Sequence, residues 1–178
     1  HNYPAMMIPQ IARKLILEFA PSGKFDLIFD PYMGSGTTLV ESKLLGVNSI
    51  GTDINPLARL IAKTKTTNFD ITRLNEIKAN LELEIESFDP NIEYSSFINI
   101  TNPDFWYSKE SITELKFLTH LINQIDETNI DFFKLALSEC VREVSYTRNG
   151  EFKRYRMEQE KMANFKPNTF KLFFDKLD

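Results

Sequence analysis

The fold is decided by residues 25–58, FDLIFDPYMGSGTTLVESKLLGVNSIGTDINPLA. Residues 25–29 (FDLIF) are a short apolar run of strand length, ended by Asp30-Pro31. Gly34-Ser35-Gly36 follows at once. Residues 37–45 (TTLVESKLL) then have helical spacing, and Gly46 closes them as a C-cap. Residues 47–52 (VNSIGT) read as a second strand ending at Asp53. Asn55 caps the next helix, with Pro56 at its first position and Leu57, Leu60, Ile61 and Lys65 carrying it on. Strand, glycine loop, helix, strand, acid and helix in that order make a βαβ unit with a right-handed crossover and a parallel strand pair.

Upstream, residues 6–19 (MMIPQIARKLILEF) place Ile8, Ile11, Ala12, Leu15, Ile16 and Phe19 on a helical stripe, with Arg13, Lys14 and Glu18 off it and Pro9 in the first turn. PSGK turns the chain into the first strand. Downstream the character changes. Residues 71–87 are helical, 88–108 are irregular with Pro90 and Pro103, and 109–126 and 129–145 are two more amphipathic helices. The chain therefore divides into a ligand-binding βαβ part, residues 1–70, and a helical elaboration, residues 71–178. The expected class is α/β, a partial Rossmann-like arrangement with a largely helical second half. Two strands are few for a doubly wound sheet, since three or more are normally needed.

Composition narrows the function. In 178 residues, 42 % are hydrophobic and 26 % charged, the balance of a globular protein rather than a disordered or filamentous one. A net charge of −4 and a pI near 5.3 exclude a generic polyanion binder, so any nucleic-acid contact must come from a local patch. The single cysteine, Cys140, has no internal disulfide partner, and two histidines do not furnish an ordinary structural zinc site. No run approaches the roughly 18 apolar residues of a membrane span, and no basic leader with an apolar segment opens the chain. A cytoplasmic protein is expected. His1 in place of Met suggests a trimmed chain or a piece of a longer protein.

Gly34 and Gly36 let a ligand lie against the main chain at a helix N-terminus. Asp53 stands 17 residues after Gly36 at the end of the next strand, where a carboxylate can take both hydroxyls of a ribose. A bare tight turn would account for the glycines alone, but not for the ordered succession of strand, loop, helix, strand and acid. The dinucleotide fingerprint G-x-G-x-x-G is absent, and no Lys follows the glycines as in a phosphate-binding P-loop. A nucleoside carrying a cation beside its ribose fits better than one carrying a pyrophosphate. S-adenosylmethionine has that charge.

DPYMGSGTTLVESKLLG followed by GTDINPLA resembles the cofactor motif and its acidic successor in S-adenosylmethionine-dependent DNA amino-methyltransferases, which methylate N6 of adenine or N4 of cytosine. The opening HNYPAMMIPQIARKLI is similar to the segment that precedes the glycine loop in this family. The likeness covers about residues 1–65. It implies that Asp30 lies near the cofactor's amino group and that Met33, Gly34, Ser35 and Gly36 form the loop under its methionine portion. By the same resemblance Thr37 and Thr38 offer hydroxyl or amide donors, and Asp53 holds the ribose. Ile54 would lie against the adenine, and Asn55 with Pro56 would shape the pocket wall. Tyr3, Pro4, Ala5 and Met6 would line the methionine side through backbone groups, Met6 standing where many relatives carry Lys.

The family also uses a second motif, Asp, Asn or Ser followed by Pro-Pro and an aromatic residue, which receives the target amine and stacks on a flipped base. No Pro-Pro pair occurs in this sequence. Asn102-Pro103-Asp104-Phe105 is the nearest approach and reads as a linker whose aromatics pack under the next helix. The expectation is therefore the cofactor-binding part of a DNA methyltransferase whose catalytic half is supplied in cis or in trans. An RNA-base methyltransferase and a non-catalytic subunit of a split enzyme are the alternatives.

Residues 142–156 (REVSYTRNGEFKRYR) hold five basic residues against two acidic ones, +3 in a chain whose remainder is −7. Arg148, Lys153, Arg154 and Arg156 interleave with Tyr146, Phe152 and Tyr155, as phosphate contacts and base-stacking rings would. A solvated loop is the bland alternative. Phe132, Phe133, Phe165, Phe170, Phe173 and Phe174 are expected in a core or covered face, and His120 and Cys140 are expected to be structural.

Overall fold

The computed structural model describes residues 6–20, 27–94, 101–148 and 155–177, and the chain divides into two compact units, His1–Asn68 and Phe69–Asp178. In the first, α1 (Pro9–Phe19), β1 (Leu27–Asp30), α2 (Thr37–Leu44), β2 (Asn48–Gly51) and α3 (Pro56–Thr66) follow in order. The strands pair in parallel, with Leu27 opposite Asn48 and Asp30 opposite Gly51.

Both strands differ from their expected bounds for reasons visible in the hydrogen bonding. Phe25 and Asp26 lie outside the described residues. At its other end β1 runs one residue further, through Asp30, whose carbonyl accepts from the Thr52 amide at 3.0 Å. Val47 is not in β2 because its amide is spent on closing α2, donating to the Ser42 carbonyl at 2.9 Å while Gly46 N donates to Lys43 O at 3.1 Å. This pair of bonds is a Schellman ending, with Gly46 in the left-handed position that the motif requires.

Helix α1 begins at Pro9 rather than Met6, since a residue before proline is pushed to extended backbone and Ile8 adopts φ −70, ψ 121. Its buried stripe is narrower than the sequence pattern. Only Ala12 and Ile16 are buried, while Ile8, Ile11, Leu15 and Phe19 are exposed. Alongside them, Arg13 Nε donates to Glu41 Oε2 of α2 at 2.6 Å, giving a carboxylate only 4 % exposed its counter-charge. In α3 the closest packing falls to the small residues Ala58 and Ala62 together with Ile61, and Leu57 and Leu60 are half-buried. The Asn55 side chain accepts from the Leu57 amide at 3.0 Å and caps this helix as expected. Leu27, Phe29 and Ile50 leave one face of the two-stranded sheet exposed.

The second unit is helical: α4 (Ile71–Ile85), α5 (Pro103–Trp106), α6 (Lys109–Ile122), α7 (Ile130–Glu143), α8 (Gln159–Asn164) and α9 (Thr169–Phe174). Asp70 opens α4 by accepting from the Thr72 and Arg73 amides. Its core gathers Leu74, Ile77 and Leu81 from α4, Leu115, Leu118 and Ile122 from α6, Phe133 and Cys140 from α7, and Phe173 from α9. Phe132, Phe170 and Phe174 pack against that core, and Phe165 meets Tyr146 edge-on. The segment 88–108 is not wholly irregular. Residues 103–106 of the expected linker form one helical turn, opened by Asn102 at φ +54. Trp106 and Tyr107 pack on the core as the linker reading anticipates, whereas Phe105 is half-exposed. Among the described residues no helix is long and apolar enough to cross a membrane.

Candidate functional site

The parallel pairing brings the ends of β1 and β2 side by side, and the two loops that leave them are stitched together. Met33 N donates to Thr52 O at 3.1 Å, Thr52 N to Asp30 O at 3.0 Å, and the Thr52 hydroxyl to Pro31 O at 2.9 Å. Asp53 completes the join. Its Oδ2 accepts from the Gly34 amide at 3.0 Å and its Oδ1 from the Asn55 amide at 2.8 Å. A carboxylate oxygen has two lone pairs, so each retains one outward acceptor position. The two halves of the sequence motif, 19 residues apart, thus meet at one carboxylate.

Gly34 and Gly36 both have positive φ, +51 and +79. At Gly36 a second requirement is added. A Cβ there would stand 2.7 Å from Ala62 Cβ, so the turn and the close approach of α3 both demand glycine. Gly36 N donates to Met33 O at 2.8 Å, and Gly36 O accepts from Val40 N at 2.9 Å. The amides of Ser35, Thr37, Thr38 and Leu39 have no acceptor among the described residues. They form the unfilled N-terminus of α2, a positive pole suited to an anionic or polar ligand. Ser35 is buried and its Oγ has no partner. Such an orphaned hydroxyl in a glycine-built cradle fits a ligand that brings its own hydrogen-bonding groups.

The remaining expected contacts are placed around this cradle. One carboxylate oxygen of Asp30 accepts from Tyr32 N at 3.1 Å, folding the Asp-Pro turn back on itself. Ile54 is almost wholly exposed at the tip of β2, with its apolar face uncovered. Tyr3, Pro4 and Ala5 lie outside the described residues, and Met6 is exposed. Thr52, Ala62 and Lys65 support the loop but were not singled out from sequence as loop contacts. Lys65 Nζ donates to Ser35 O at 3.3 Å. Only the i, i+3 spacing of Ala62 and Lys65 hints at a shared face, and nothing local says that this face meets the glycine loop.

Comparison with known proteins bears on the same stretch. Residues 1–64 match the sequence model of a family described as DNA methylase. Over 185 residues, and 99 % of its own length, the chain is 40 % identical to Type II methyltransferase M.MvaI of Kocuria varians. Over its first 64 residues the chain is thus similar to the DNA methylase family. It is also 33 % identical over 156 residues to Type II methyltransferase M.BsoBI of Geobacillus stearothermophilus, a match that takes in 86 % of the chain. With Type II methyltransferase M.MjaII of Methanocaldococcus jannaschii it shares 38 % identity over 98 residues, 55 % of the chain. The chain spans 40 %, 30 % and 18 % of these three methyltransferases respectively. No solved structure matches it.

In the second unit an antiparallel bridge sorts the described basic residues. Thr147 and Arg156 form an antiparallel bridge, with Arg148 N donating to Tyr155 O at 2.8 Å. Side chains alternate across such a pair. Arg148 and Tyr155 are cross-strand neighbours and both about half-exposed, Arg148 making a loose ion pair with Glu158 at 3.5 Å. Arg156 instead lies over the Phe105 ring at 4.1 Å with its Nε buried and unpartnered. Lys153 and Arg154 lie outside the described residues. Cys140 is buried and its thiol is pushed up to about 12 by burial, the behaviour of a core residue. His120 is exposed on α6 and its ring meets the Gln124 side chain at 3.0 Å.

Proposed function

We propose that this chain is the S-adenosylmethionine-binding portion of a DNA methyltransferase, on a partial Rossmann-like scaffold, acting with a catalytic half supplied in cis or in trans. The acceptor is an exocyclic amine of adenine or cytosine. The observation that carries this reading is Asp53. Its carboxylate ties the tips of both strands together and keeps outward lone pairs beside a helix N-terminus with four unfilled amides.

The division of labour follows from the chemistry of each group. Asp53 receives the ribose hydroxyls, and charge-assisted bonds of this kind are the strong ones. The free amides and hydroxyls of Thr37 and Thr38, at the positive pole of α2, receive the methionine carboxylate. Asp30 receives the amino group, its second carboxylate oxygen being clear of the bond to Tyr32. Gly34, Ser35 and Gly36 admit the chain of the methionine against the backbone, with Met33 beneath. Ile54 covers the adenine, Asn55 sets the wall beyond it, and Tyr3, Pro4 and Ala5 close the methionine side. Bound S-adenosylmethionine supplies a methyl group activated on a sulfonium. What this chain contributes to transfer is positioning. Arg148, Lys153, Arg154 and Arg156 contact DNA, Arg148 from the open side of its antiparallel pairing with Tyr155 and Arg156 from the ring on which it stacks. A cytoplasmic location accords with DNA as substrate.

The family model and the two relatives matched over most of the chain support DNA over the RNA alternative. The test is methyl transfer by the full protein from tritiated S-adenosylmethionine to duplex DNA and, in parallel, to RNA. Label recovered as N6-methyladenine or N4-methylcytosine in DNA is the expected result. Label in RNA alone would replace this reading with the alternative, and a protein that does not bind the cofactor would overturn it.

A further inference from the structure

The polar groups of the glycine loop can be followed one by one, because a buried backbone group without a partner is costly. Pro31 O, Met33 N, Met33 O, Gly34 N and Gly36 O are each satisfied by the loop itself, by α2, by Thr52 or by Asp53. Ser35 O is reached from outside the motif, by Lys65 Nζ of α3 at 3.3 Å. One turn earlier on the same helix, Ala62 presses against Gly36 closely enough to leave no room for a Cβ. Residues i and i+3 of α3 therefore hold one peptide unit between them, Ala62 by contact and Lys65 by charge. The other end of that unit, Gly36 N, is held by Met33 O at 2.8 Å.

We infer that Lys65 is a positioning residue for the methionine portion of the cofactor, a role that rests on the cofactor site proposed above. Fixing the Ser35–Gly36 peptide at both ends keeps Gly36 at φ +79, and that angle aims the free amides at the start of α2. The loop lies under the methionine end of the ligand, whereas the nucleoside end belongs to Asp53 and Ile54. Loss of Lys65 thus acts on one end of the cofactor and leaves the other alone. The ammonium is partly withdrawn from water, and this desolvation lowers its pKa from the ordinary lysine value.

The experiment compares two ligands in the full chain by calorimetry: S-adenosylhomocysteine, which carries the amino acid, and methylthioadenosine, which keeps nucleoside and sulfur but lacks it. Lys65→Met should bind S-adenosylhomocysteine about five- to tenfold more weakly, the low end for a charge-assisted bond near solvent. Its affinity for methylthioadenosine should be unchanged, and Lys65→Arg should recover most of the loss. Equal affinity of wild type and Lys65→Met for S-adenosylhomocysteine would overturn the inference. So would an equal loss for both ligands, which marks a general packing role. Failure of the wild type to bind either ligand removes the cofactor site itself, a different result from both.

Discussion

Asp53 is the residue on which the cofactor reading stands or falls, and its two internal bonds make the outcome of replacing it specific. Its carboxylate accepts from Gly34 N at 3.0 Å and Asn55 N at 2.8 Å while keeping an outward lone pair on each oxygen. Two ribose hydroxyls on those lone pairs contribute about 1.5 kcal/mol each at the low end for a charged acceptor near solvent. Asp53→Ala should therefore weaken S-adenosylhomocysteine binding by about 3 kcal/mol, on the order of a hundredfold in Kd. Part of any measured loss will come from the loop, because the same substitution releases the Gly34 amide. A double-mutant cycle separates the two. Wild type and Asp53→Ala are titrated with S-adenosylhomocysteine and with its analogue lacking both ribose hydroxyls, by calorimetry at fixed salt. If the ribose bonds carry the effect, the variant and the wild type differ by little for the analogue and by most of the 3 kcal/mol for the parent ligand. Unchanged affinity for the parent ligand would refute the assignment. An identical loss for both ligands would leave Asp53 as a loop organiser only.

Four further outcomes are expected. Gly36→Ala places a side chain at φ +79 against Ala62, so a thermal melt should show a loss of about 1–2 kcal/mol from the backbone alone, and more from the clash. Arg13→Met leaves the buried Glu41 carboxylate without its counter-charge and should cost about 1–3 kcal/mol in urea unfolding, with Glu41→Gln in the same chain restoring part of it. Cys140 should resist thiol reagents in the folded protein. Its folded pKa of about 12 lies above the 9.0 of the free group, so its contribution to stability is complete below pH 9 and lost as pH rises towards 12. Wild type should lose about 1 kcal/mol between pH 7 and 10 relative to Cys140→Ala. In DNA binding, changing Arg148, Lys153, Arg154 and Arg156 together to Glu should weaken affinity and flatten its salt dependence. Of the single changes, Arg148→Glu should act without lowering the melting temperature and Arg156→Ala should lower it, since Arg156 lies on Phe105.

The first unit was legible because its signals are local. An apolar run before Asp-Pro, glycines at positive φ, an Asn cap with proline after it and a glycine closing α2 each act through neighbours within five residues. The resemblance to amino-methyltransferases rested on that same stretch, which the family match covers. Boundaries were less legible. Val47 reads as a strand residue until its amide is seen closing the preceding helix, and the apolar stripe of α1 does not tell that Ile8, Ile11, Leu15 and Phe19 are exposed. Periodicity reports which face is apolar, not how much of that face a neighbour covers.

Long-range partners were not legible at all. The sequence by itself determined that a glycine loop and an acid stand at the ends of two adjacent strands, because strand pairing and turn chemistry are written in short segments. Only the tertiary structure decided that Asp53 binds the Gly34 amide, that Glu41 is buried against Arg13, that Arg148 faces outward while Arg156 lies on a ring, and that Lys65 reaches Ser35. Each of those contacts joins groups separated by many residues or assigned to opposite faces. Which groups meet is set by how the elements pack, and no window along the chain contains that information.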